Sequence, residues 1–218
     1  MKVSTIFALV MKDLRIELRD KYAIGATLLY VVTSTFIVYK AFQSVSVMAW
    51  NVLFWIIFLF AALNALVKSF NQESKNQYLY YYQIVHPGDL IVAKIIYNIL
   101  MLMLVSLILY GTMALFTINP VQSLGLFFVC ITMGAIGVST CFTFVASILS
   151  TQNNQSTMMA ILSLPLIIPI LLLLLNISAG AIGIVNDTGF TADLLMLAGI
   201  DLILFGLAVV IFPVVWRS

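Results

Sequence analysis

Long apolar runs separated by short polar clusters dominate this chain. At about 20 residues per bilayer crossing, six runs qualify: Tyr22 to Phe42, Val45 to Val67, Leu90 to Phe116, Val121 to Ser150, Thr157 to Asn176 and Asp193 to Val215. The breaks Thr117–Ser123 and Ser150–Thr157 carry turn chemistry, most plainly at Asn119-Pro120. Between the fifth and sixth runs, Ile177 to Phe190 is small and apolar before the polar Asn186-Asp-Thr-Gly189. It is too short to cross and is expected to form a short re-entrant or interfacial segment, with a surface loop as the alternative. Ahead of the first run, Val3 to Lys21 reads as an amphipathic helix. Val3, Phe7, Val10, Leu14 and Leu18 recur at three- and four-residue steps, and Lys12, Asp13, Arg15, Glu17, Arg19 and Asp20 take the other faces. Glu17 and Lys21 stand at the favourable i,i+4 spacing. Such a helix is expected to lie in the membrane interface as an elbow before the first span, basic side outward.

Composition then fixes the solvent. Of 218 residues, 63% are hydrophobic and 8% charged, with a mean hydropathy of +1.16. Soluble domains run at about 45–50% apolar and about 25% charged. A soluble enzyme, a nucleic-acid binder and a disordered protein are therefore excluded, and continuous apolar runs exclude an outer-membrane barrel. From Ile95 to Asn186 there is no Asp, Glu, Lys or Arg; such a stretch has to be helices in hydrocarbon. The expected fold is all-α, a polytopic bundle of six spans forming one domain over 1–218. No targeting peptide is expected, since Val3 to Met11 is short and lacks a small-residue cleavage site.

Charge sets the expected orientation. With the N-terminus inside, Lys2, Lys12, Arg15, Arg19, Lys21, Lys68, Lys75, Lys94 and Arg217 lie on the cytoplasmic side, and Lys40 alone lies outside. Six spans return the C-terminus to the cytoplasm. Trp50 and Trp216, at span ends, are expected to anchor the interface.

The connection from Ser69 to Asp89 is the one sizeable hydrophilic loop. It contains Glu73, then Tyr78, Tyr80, Tyr81 and Tyr82 within five positions, and closes on His86-Pro87-Gly88-Asp89, a turn and helix-start signal. Each tyrosine buries a large, rigid area on contact, so the loop is expected to dock a cytoplasmic partner; an interfacial aromatic belt is the plainer alternative.

Little chemistry is visible within the chain. A single histidine, His86, cannot make a histidine-pair metal site, and no Gly-rich loop ends in Lys-Ser or Lys-Thr. His86 could serve as an axial haem ligand, although its neighbours favour a turn role. Cys130 and Cys141 are about 16 Å apart along one helix, too far to pair. With Gly134 and Gly137 they make a small-residue stripe suited to helix packing. Asp201 lies inside the sixth run, where an acid is costly and suspect of function; lying near the outer surface, or simple protonation, is the plainer alternative. Asn64, Asn98 and Ser106 could bond between helices, and Pro165 with Pro169 should bend the fifth span.

Taken together, an elbow helix, six spans and a docking loop after the second resemble an exporter-type ABC permease. Lys12-Asp-Leu-Arg-Ile-Glu-Leu-Arg-Asp-Lys-Tyr22, Phe60-Ala-Ala-Leu-Asn-Ala-Leu-Val-Lys-Ser-Phe70 and Gly88-Asp-Leu-Ile-Val-Ala-Lys94 are similar to the CcmB family, haem exporter protein B of cytochrome c maturation. That resemblance covers essentially the whole chain, but the tyrosine run departs from the acidic, Ser-Pro-ended loop of the commoner pattern. It implies a bacterial inner-membrane permease that pairs with a separate CcmA-like ATPase, two copies of each, and works with CcmC-like and CcmE-like haem-handling proteins. The chain itself is expected to bind no cofactor and catalyse nothing: ATP belongs to the ATPase, and haem to the complex. Three rivals share the pattern. One is an ABC permease for a drug, lipid or polysaccharide, and another an ATPase-independent channel or secondary transporter using Asp201. The third is a structural scaffold of a membrane complex, its tyrosine loop serving assembly alone.

Overall fold

The computed structural model describes residues 3–19, 21–42, 44–71, 86–149, 155–184 and 189–217. Seven α-helices and no strand occur among them: α1 (Val3–Arg19), α2 (Lys21–Ala41), α3 (Val47–Asn71), α4 (Pro87–Phe116), α5 (Leu124–Ile148), α6 (Gln155–Ala181) and α7 (Phe190–Arg217). Five of them, α3 to α7, are long and apolar enough to cross a membrane. In hydrocarbon every backbone N–H and C=O must be satisfied internally, which is why uninterrupted apolar sequence becomes helix here. The expected first span forms α2.

α5 is the central strut, packing on α4, α6 and α7 and more lightly on α3, while α4 also carries α1 and α2. Small residues let the helices approach. A Cβ on Gly134 would stand 2.8 Å from the Trp55 ring, and one on Gly137 would stand 2.7 Å from Asp201 Oδ1. Beside this strut lies an aromatic block. Trp50 stacks on Phe54, and Phe54 meets Phe127 and Trp55 edge-on at ring-centroid distances of 5.2 Å each. In lipid such packing, rather than escape from water, holds helices together.

Several expectations need correction. Trp50 is not an interfacial anchor: it is buried, and its indole N–H donates to Thr117 Oγ1 at 2.9 Å. Ile177 to Ala181 are not a separate re-entrant segment but the last turn of α6. Gly183, at φ 76°, follows, in a region that favours glycine. The Gln122 side chain lies 2.5 Å from where its Cβ would stand, so two constraints require glycine there. The Gln122 and Ser123 N–H groups donate to Ala181 O, tying the start of α5 to the end of α6. Pro165 and Pro169 lie inside the one helix α6, as the sequence places them. In α1, Val10 is buried together with Asp13 and Glu17, while Val3, Phe7 and Leu18 are exposed from the protein.

Candidate functional site

The loop expected to dock a partner lies mostly outside the described residues, including Glu73, Tyr78, Tyr80, Tyr81 and Tyr82. Its last residues are in view. His86 is the N-cap of α4, and its Nδ1 accepts the Gly88 N–H at 3.2 Å. Pro87 opens the helix, where a missing N–H costs nothing. Asp89 stands in the first turn, where the helix dipole favours an acid. The loop therefore ends on a rigid, capped helix.

One turn further along α4 lies a buried polar cluster. Lys94 is 5% exposed, and its Nζ is 3.4 Å from Asp13 Oδ2 on α1. Asp13 also meets Lys12 at 2.9 Å. Tyr97 donates its hydroxyl to Glu17 Oε2 at 3.2 Å, and Lys94 Nζ lies 5.6 Å from the Tyr97 ring centroid. Val10, Ala93 and Tyr97 pack around these groups. Low dielectric makes such a pair costly to assemble and costlier to break singly, so α1 is held to α4 in one setting. Sequence reasoning missed this cluster. The signal was present: two acids four apart on α1, and a lysine inside the third apolar run.

A second polar feature sits deep between α5 and α7. Asp201 is 5% exposed, and neither carboxyl oxygen has a hydrogen-bond partner. Of the residues expected to form a stripe on α5, Cys130, Gly134, Gly137 and Cys141 are all buried, and both cysteines are free. Gly137 supplies the space into which Asp201 Oδ1 fits, with Ile170 of α6 on the other side. The stripe and the intramembrane acid, read separately from sequence, thus meet. Among the other polar residues, Asn98 Nδ2 donates to Thr143 Oγ1 across α4 and α5 at 3.1 Å. Ser106 bonds only within α4, and Asn64 faces outward. A polar junction not expected from sequence joins α3 to α6. Ser178 Oγ and Asn51 Oδ1 are 2.7 Å apart, and the Trp55 indole N–H donates to Ser178 Oγ at 2.9 Å.

The family model described as CcmB protein matches residues 4–216, nearly the whole chain. The chain belongs to the CcmB family. CcmB proteins are membrane permeases of a bacterial inner-membrane Ccm ABC system for haem handling and cytochrome c maturation, served by an ATPase partner. Neither curated proteins nor solved structures give a match. In this CcmB-family chain, no group of three His, Cys, Asp or Glu side chains able to hold a metal occurs among the described residues. Among the described residues the arrangement is one of packing contacts and a capped entry helix.

Proposed function

We propose that this chain is the permease subunit of an ABC-type complex of cytochrome c biogenesis, forming one membrane domain of exporter-type fold. In this reading α2 is the first of six spans, α1 is the elbow, and both termini are cytoplasmic. Two permease copies pair with CcmA-like ATPase subunits, alongside CcmC-like and CcmE-like haem-handling proteins. The energy of ATP hydrolysis, spent in the partner, drives haem export or release of haem-loaded chaperone on the outer side. The chain carries no catalytic step and no cofactor of its own.

The observation carrying this reading is the family match over residues 4–216 of a chain whose helices α3 to α7 suit a membrane. The mechanical part rests on the capped start of α4. A push on the loop at 72–85 would be delivered to His86 and Pro87, and then along α4 to the Lys94–Asp13 clamp. Nucleotide-driven closure of the ATPase thereby tilts α4 and the elbow together. Glu73, Tyr78, Tyr80, Tyr81 and Tyr82 supply the contact surface, the tyrosines acting as anchors.

The test is a pull-down of the tagged chain in mild detergent, followed by ATPase assays of the recovered complex. An ABC ATPase and haem-handling proteins should co-purify. Replacing Tyr80, Tyr81 and Tyr82 with alanine should abolish stimulation of the ATPase by the permease while leaving its melting transition in place. Full stimulation in that variant would remove the docking loop from the mechanism, and recovery without any ATPase would overturn the proposal.

A further inference from the structure

Packing against α4 sorts the charges of α1. Val3–Arg19 holds three basic residues, Lys12, Arg15 and Arg19, and two acids, Asp13 and Glu17. By composition the helix is nearly neutral. In the folded chain both acids are buried against α4, Asp13 on Lys94 and Glu17 on Tyr97. Lys12 turns toward Asp13. Arg15 and Arg19 are exposed and have no ion-pair partner among the described residues. They stand at i and i+4, so their side chains leave one face of the helix a turn apart.

Apolar side chains flank that face. At about 3.6 residues per turn, Phe7 and Leu18 fall between the arginines and the side packed on α4, and both are exposed from the protein. α1 therefore turns acids to the bundle, hydrocarbon to one flank and guanidinium groups beyond it. Whatever covers the outward surface has to meet Phe7 and Leu18 with hydrocarbon and the arginines with negative charge. A phospholipid with an anionic headgroup does both in one molecule. A zwitterionic lipid brings an ammonium that cancels its phosphate, and a soluble acidic partner leaves the apolar flank in water.

We propose that α1 binds anionic phospholipid, its acyl chains against Phe7 and Leu18 and its phosphate between Arg15 and Arg19. Guanidinium forks match phosphate oxygens bidentately, which favours arginine at such a site. The Lys94–Asp13 contact fixes the rotation that keeps both arginines outward. This inference rests on the reading of α1 as an elbow in the cytoplasmic interface of the membrane, and adds the lipid class that the elbow selects.

Photoreactive phosphatidylglycerol and phosphatidylcholine are the probes, each with its reactive group high on one acyl chain. Each is added in trace amount to phosphatidylcholine nanodiscs holding the full chain, and adducts within Val3–Arg19 are mapped by mass spectrometry. Adducts on α6, whose sequence has no charged residue, correct for unequal reactivity of the two lipids. Labelling of α1 should favour phosphatidylglycerol by about fivefold for each arginine at low salt. The Arg15→Gln/Arg19→Gln chain should label about equally with both lipids and keep its melting transition, since both side chains are exposed. Equal labelling of the native chain, or a preference unchanged in that variant, would overturn the proposal and leave the elbow placement standing. Labelling by neither lipid would place α1 away from the membrane, and the elbow reading would fall with it. Loss of the phosphatidylglycerol adducts in the complex recovered with its ATPase would give the arginines to a protein partner and sink the lipid site as well.

Discussion

Single side chains decide how the two polar features behave. Lys94 and Asp13 are buried together, so removing the lysine leaves Asp13 with the half-exposed Lys12 as its cation. Lys94→Met should destabilise the fold by about 3 kcal/mol, read as a lower thermal midpoint in detergent. The double variant Lys94→Met with Asp13→Asn should recover part of the loss, because position 13 then has no charge to bury. A comparison of glycines tests the seam at Asp201. A Cβ at Gly137 meets Oδ1 at 2.7 Å, whereas Gly125, on the same helix, has nothing within 4 Å. Gly137→Val should cost about 1–3 kcal/mol through overpacking. Gly125→Ala should be neutral or gain about 0.5–1 kcal/mol, since glycine is a poor helix residue. Equal melting of the two variants would show that the carboxyl is not seated on Gly137. At this scale the sequence was informative about kind and silent about company. Asp201 is conspicuous as an acid in an apolar run, and Gly137 as part of a small-residue stripe, but nothing in their spacing joins them. Helices packed side by side bring together residues far apart in sequence.

Among the helices, α2 carries the sharpest question. Lys21–Ala41, 21 residues, is about 32 Å of helix at 1.5 Å per residue, close to a hydrocarbon core of about 30 Å. Single cysteines at Gly25 and Ala41, in a background with Cys130 and Cys141 replaced by alanine, should react with a membrane-impermeant maleimide from opposite sides. Labelling of both from one side would make α2 an interfacial helix and leave five crossings. The start of α4 is legible in sequence for a plain reason: His86-Pro87-Gly88-Asp89 is local chemistry, and caps depend on neighbours within one turn. His86→Ala should cost about 1 kcal/mol and speed hydrogen exchange in the first turn, including the Gly88 amide. The rotational setting of α1 was not legible. Its apolar stripe stays largely outside, and its acids turn inward to Lys94 and Tyr97. In lipid an exposed apolar face carries no penalty, so hydrophobic periodicity does not say which face meets protein.

For the whole molecule, the charge pattern makes a prediction that packing does not. Nine of the ten basic residues fall on one side of a six-span arrangement, with Lys40 on the other. Reporter fusions at the two ends should therefore read the same compartment, the cytoplasm; opposite readings would require an odd number of crossings.

What the sequence determined by itself was the solvent, the helical class, the long apolar helices α3 to α7 and the family. Each follows from runs of residues, and runs survive any rearrangement of neighbours. The tertiary structure alone decided that Trp50 is buried in an aromatic block, that α1 is clamped through its acids, that α6 extends to Ala181, and that Asp201 rests against Gly137. The reason is common to all four. Lipid and protein interior are both apolar, so hydrophobicity records that a residue leaves water without recording what it enters.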